Sequence, residues 1–226
     1  MSKESLKGKR IIPWFIGAAL VEFLLYYIVS LFVYDPDIFY YYLYFAERFI
    51  LLSIPVTAAA IIIRCATTRR DAVKIATFIS LTRLVAFVPF FYVEYVYGPY
   101  DSIEAIILSL LSSLGAVVIY LLLILAVYAL LRYLMKNRKN VEYPVRIFDL
   151  GAPPARAIFI ASLIIFIINL LFEIYSTVLF LVENGTIYYI DEIVLMFCSY
   201  VFLAILLVGV HALGVIAINR AINEEE

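Results

Sequence analysis

The chain has 226 residues, of which 66% are hydrophobic, and a mean hydropathy of +1.04. Soluble domains average about 45–50% apolar residues, so this composition excludes an ordinary soluble fold and points to the bilayer. The formal charge of -1 hides a strong segregation of charge along the chain. At about 20 residues per crossing, this length holds about six spans and leaves no large soluble domain.

Residues 1–10 form a short basic segment with Lys3, Lys7, Lys9 and Arg10. The apolar run 11–34 that follows is too long for the core of a cleaved signal peptide, and no small-x-small site leads into a soluble domain. It is expected to be a retained first span, with Pro13 tolerated in its first turn. Further spans are expected at 45–64, 72–97, 102–135, 156–182 and 190–219, joined by a basic loop at 136–155 and closed by an acidic tail at 220–226. The fourth window exceeds an upright crossing and is expected to tilt or to extend beyond the bilayer.

Lys and Arg gather at the N-terminus, at 64–74, at 132–156 and at Arg220. The segments between them, 34–44, 94–104 and 183–192, carry Asp35, Asp37, Asp101, Glu104, Asp191 and Glu192 but no Lys or Arg. The positive-inside rule therefore predicts a multi-pass protein of the cell membrane with both termini cytoplasmic and three short hairpins outside. Tyrosines crowd the same hairpins (Tyr40, Tyr41, Tyr42 and Tyr44; Tyr92, Tyr95, Tyr97 and Tyr100; Tyr188 and Tyr189), as expected for rings with a polar tip at the headgroup level. Asn184-Gly185-Thr186 is a glycosylation sequon on that side.

Cys65 and Cys198 are expected near opposite faces of the bilayer, too far apart for a disulfide, and both are predicted to stay reduced. No Cys/His cluster suggests a metal, and no cofactor is indicated. The chain has no Gln, three Met and two Cys, a depletion of thermolabile residues that points to a thermophilic source.

LLYYIVS at 24–30 resembles LLFEIYS at 170–176, and AVKIATFI at 72–79 resembles AIFIASLI at 157–164. These similarities suggest three copies of one helical hairpin. Glu22 lies 12 positions after Arg10, Arg83 lies 13 after Arg70, and Asn169 lies 13 after Arg156. The three polar groups thus stand roughly 18–20 Å along spans one, three and five. Two readings follow: a solute or ion site near the midplane, or polar contacts that only fasten the helices together. Glu173, one turn from Asn169, and His211, the single histidine, are further candidates for a pathway. A snorkelling carboxylate and a packing histidine are the structural alternatives. Pro55 and Pro89 lie within spans two and three and are expected to kink them. Small residues in spans four (Ser109, Ser112, Ser113, Ala116) and six (Gly209, Ala212, Gly214) suit close helix contact.

No GxSxG, HExxH, GxGD or DxxxD element and no phosphate-binding glycine loop is present, which argues against an enzyme. Sequence alone therefore predicts an all-α, polytopic bundle of six transmembrane helices. Its expected role is a small solute or ion transporter or channel-like protein using Glu22, Arg83 and Asn169. The competing reading is a non-catalytic membrane subunit whose partners are other membrane subunits or copies of itself. Nothing points to nucleic acid, and the basic loop is expected to meet lipid headgroups or a cytoplasmic partner.

Overall fold

A computed structural model describes residues 13, 15–21, 24, 38–97, 103–136, 144–184 and 190–223; of residues 38–47, 85–97, 103–106, 108, 109, 112, 113, 173, 176, 177, 180, 181, 183, 184, 190–200 and 221–223 it describes the backbone alone. The regular elements among the described residues are helices, with no strand. Helix α1 is described over 15–21. It is followed by α2 (Ile38–Cys65), α3 (Arg69–Tyr97), α4 (Ile103–Met135), α5 (Pro153–Asn184) and α6 (Ile190–Asn223). The helices fall where the apolar runs predict them. α2 begins seven residues before the expected start of its span, within a stretch read as outer hairpin.

Among the described residues, four helices contain stretches long and apolar enough to cross a membrane: Arg48–Cys65, Leu114–Met135, Pro153–Phe172 and Val201–Arg220. α3 is 29 residues long but carries Arg69, Arg70, Asp71, Lys74 and Arg83, and is not among the four.

α2 is the axis of the bundle. It packs against α6, α4, α3 and α5, whereas α4 and α6 do not touch and neither do α3 and α5 among the described residues. Helices α2, α4, α5 and α6 enclose one core, with Val56, Ala59 and Ala60 meeting Leu131, Ile158, Ala161 and Val215. On its other side, Ile54, Ala58 and Ile62 of α2 meet Phe15, Ala76 and Ile79, with Ile124 of α4. A helix packed on both sides keeps only a narrow, half-buried face, at Thr57, Ile61 and Arg64. The run Ala58-Ala59-Ala60, wholly inaccessible, gives it the slim profile that such a position needs.

In lipid the hydrophobic effect does not drive helices together, so close packing and polar contacts decide the arrangement. The glycines of α6 show this. A Cβ at Gly209 would stand 2.6 Å from the Phe49 ring of α2. One at Gly214 would stand 2.6 Å from Ile158 of α5 and 3.0 Å from Val56 of α2. Both positions lie where α6 presses on its neighbours.

The two cores also place the C-terminal ends of α2, α4 and α6 and the N-terminal ends of α3 and α5 at one end of the bundle. That end carries Arg64, Arg69, Arg70, Lys74, Arg132, Lys136, Arg146, Arg156 and Arg220. α2 and α3 are joined there by the three residues Ala66–Thr68, closed by a reciprocal cap. The Thr68 hydroxyl accepts from the Asp71 N–H (3.1 Å). Asp71 accepts from the Thr68 N–H (3.2 Å) and from the hydroxyls of Thr68 (2.6 Å) and Thr67 (3.0 Å).

The basic loop is not detached. Val145 is buried in the larger core and Ile147 packs against it, while Arg146 and Phe148 point outward. Ile147 and Phe148 form the corner of a turn closed by the Asp149 N–H on the Arg146 carbonyl, which sends one side chain to the protein and the other outward.

Candidate membrane-embedded polar sites

Arg83 stands on α3 with only 2% of its surface exposed. Its guanidinium carbon lies 4.6 Å from the centroid of the Tyr120 ring of α4, a cation–π contact. Tyr120 in turn donates its hydroxyl to the carbonyl of Leu51 in α2, at 2.8 Å. The reason for that bond lies four residues on. Pro55 has no N–H, so the Leu51 carbonyl has lost the helical donor it would otherwise receive. The phenol of α4 replaces it, and the proline stays inside an uninterrupted helix. Arg83, Tyr120 and Leu51 thereby join α3, α4 and α2 through consecutive polar contacts.

Around this line the small hydroxyls are satisfied within their own helices. Ser80, one turn before Arg83, donates to the Ala76 carbonyl (2.9 Å). Thr57, beside Pro55, donates to the carbonyls of Ser53 (2.8 Å) and Ile54 (3.1 Å).

Asn169 is half-buried and donates its amide to the Ile165 carbonyl of α5, at 3.0 Å. Since α3 and α5 do not touch, Asn169 and Arg83 are not brought together among the described residues. Glu22 lies outside the described residues, as do the side chains of Glu173, Pro89 and Cys198 and the tyrosines of the expected outer hairpins.

A second polar site surrounds His211, which is 2% exposed. Its Nε2 lies 2.6 Å from the Ile147 carbonyl. A carbonyl only accepts, so Nε2 carries the hydrogen. The ring packs edge-on to Phe159 of α5 at 5.5 Å and is tilted against Phe148 of the loop at 6.2 Å. Nδ1 makes no hydrogen bond among the described residues. Two turns farther along α6, Asn219 holds the same loop at two points. Its carbonyl oxygen accepts from the Val145 N–H (2.9 Å) and its amide donates to the Val145 carbonyl (2.7 Å).

Small cavities lie between the helices among the described residues, and two are well defined. One, of about 10 Å³, is lined by Ser162, Leu52, Phe166, Leu203 and Val210 among others. The second, of about 40 Å³, is lined by Leu134, Pro153, Arg156, Ala157 and Ile160. The smaller has room for about one water, and Arg83 lines neither. Among the described residues no group of His, Cys, Asp and Glu is placed to hold a metal ion.

Sequence reasoning passed over Tyr120 and Asn219. Tyr120 stands within the apolar stretch Leu114–Met135, away from the hairpin tyrosines on which the reading rested. A mid-span phenol together with a proline in another span is the signal that finds it. Asn219 is masked by its neighbour Arg220, which marks the end of the span.

No protein-family model, no curated protein and no solved structure matches this chain.

Proposed function

We propose that this protein is a non-catalytic integral membrane subunit, a six-span scaffold whose polar residues fasten helices rather than conduct a solute. One observation carries this reading. The most buried cation, Arg83, lies against Tyr120, which repairs the proline break of α2, so three helices are held by one set of contacts. A site built for passage instead needs a water-filled space beside its ionisable residue. α1 and α3 complete the six spans. The basic end lies in the cytoplasm together with both termini, in line with the positive-inside rule, and the membrane is the cell membrane. The partners are other membrane subunits or further copies of the chain, which meet the apolar outer faces of α4 and α5.

Purification of the tagged protein from its own membranes in mild detergent tests this. A partner, or a second copy, in fixed stoichiometry is expected. A monodisperse single chain that supports solute or ion flux in proteoliposomes overturns it.

The transporter reading keeps one observation of its own: a buried arginine inside the bundle, beside a helix that carries a proline, and ionisable residues within spans are commonly functional. Its pathway would run by Glu22, Arg83, Asn169, Glu173 and His211. Arg83→Met separates the two. The scaffold loses thermal stability with no flux to lose, whereas a transporter loses flux.

A further inference from the structure

We infer that residues 144–152, the second half of the basic loop, form a re-entrant wedge that lies in the lipid of the leaflet at the basic end and presents Phe148 to the acyl chains. The inference rests on α6 and α5 being membrane spans.

Depth comes first. His211 stands nine residues before Arg220, where the apolar stretch of α6 ends, and so about 14 Å inside that level. Phe159 stands six residues after Pro153, where the apolar stretch of α5 begins, about 9 Å inside. The Phe148 ring lies 6.2 Å from the His211 ring. It is therefore held about 8 Å or more inside the level of Arg220.

At that depth an exposed side chain meets lipid, and Phe148 is 71% exposed. Leu150 is exposed beside it, and the flanking cations Arg146 and Arg156 are exposed at the two ends of the segment, where they can reach phosphate groups. Asp149, the one acidic residue of the segment, is exposed and accepts the Gly151 N–H at 3.2 Å, which ties its carboxylate to the loop's own backbone. Apolar tips between cations suit a phospholipid surface.

Non-helical backbone is tolerated within the hydrocarbon region only when protein satisfies its polar groups. This segment meets that condition to an unusual degree for a surface loop. The N–H and C=O of Val145 are both held by Asn219, and the Ile147 carbonyl by His211. The N–H groups of Asp149, Leu150 and Ala152 go to the carbonyls of Arg146, Phe148 and Asp149. The buried His211 and half-buried Asn219 of α6 are thus placed where a wedge in lipid needs them, which also gives both a purpose.

The chain has one tryptophan, Trp14, which makes a direct depth measurement simple. In a Trp14→Phe background, Phe148→Trp is compared with Ile205→Trp, a site 58% exposed on α6 within the span. The readout is quenching by phospholipid brominated on its acyl chains, against quenching by aqueous iodide, in reconstituted vesicles. Tryptophan at 148 is expected to be quenched by brominated lipid to an extent comparable with 205 and to be protected from iodide. If 205 reports lipid while 148 reports water, the wedge is wrong although the span stands. Protection from both quenchers at 148 means that a protein covers the segment, which overturns the inference as well. If both sites report water, the membrane reading of α6 fails.

Discussion

At the scale of the residue, Tyr120 is tied to Pro55 by a missing hydrogen. Tyr120→Phe keeps a ring beneath Arg83 but leaves the Leu51 carbonyl buried without its donor, at a cost of about 1–3 kcal/mol. Pro55→Ala restores the N–H four residues on. In that background the same Tyr120→Phe change should cost far less. A double-mutant cycle read by thermal unfolding in detergent checks this, and equal losses in both backgrounds would show that the phenol does not serve the carbonyl. Arg83 was visible in the sequence as a lone cation inside a span, but its neighbour was not. Depth along a helix follows from counting residues, whereas azimuth depends on which helices are adjacent. Matching depth therefore suggested Asn169 as company for Arg83, although α3 and α5 have α2 and α4 between them.

At the scale of the element, Gly214 and Gly115 make opposite predictions. Gly214→Ala pushes a methyl into Ile158 and Val56 and should destabilise by about 1–3 kcal/mol. Gly115→Ala meets nothing within 4 Å and should be neutral or slightly stabilising, because it removes a flexible residue from a helix. Melting temperatures of the two variants decide it. The α2–α3 turn carries a pH prediction. The hydroxyls of Thr68 and Thr67 hold the Asp71 carboxyl below its ordinary value of 3.8. A depressed folded-state value means that the contribution is complete above that value and is lost as pH falls below it. Asp71→Asn should therefore flatten the acid limb of the stability profile below pH 3.8 while lowering stability at neutral pH; an unchanged acid limb would contradict the cap. Thr68→Ala removes the other half of the cap, worth about 1 kcal/mol. Helix positions were legible because long apolar runs alternate with charged ends. The cap was passed over although Thr68 and Asp71 have the spacing of a capping box. The packed half of the basic loop was hidden for a different reason. Its charge drew the reading toward headgroups or a cytoplasmic partner, although the alternation of apolar and charged residues in Val145-Arg146-Ile147 already allowed one face to lie on protein.

At the scale of the whole molecule, the described helices make a bundle organised on α2, with most of its described cations at one end and with Arg83, Tyr120, His211 and Asn219 linking separate segments of the chain. Three repeated hairpins would set α2, α4 and α6 in equivalent surroundings. Instead α2 touches both of the others while α4 and α6 stay apart, with α5 packed against each. Such an unequal arrangement places one helix as the fixed axis and suits a scaffold better than two halves rocking about a central site. The claim that matters most is that the interior around Arg83 is dry. Ser80 is 1% exposed, one turn from Arg83, and replacing its hydroxyl with a thiol changes little in size. With Cys65 and Cys198 replaced by alanine, Ser80→Cys in proteoliposomes is challenged with a membrane-impermeant thiol reagent from each side in turn. The scaffold predicts no labelling from either side until detergent unfolds the bundle; labelling from one side of the intact bundle would reveal a water-filled path to Arg83 and return the protein to the transporters.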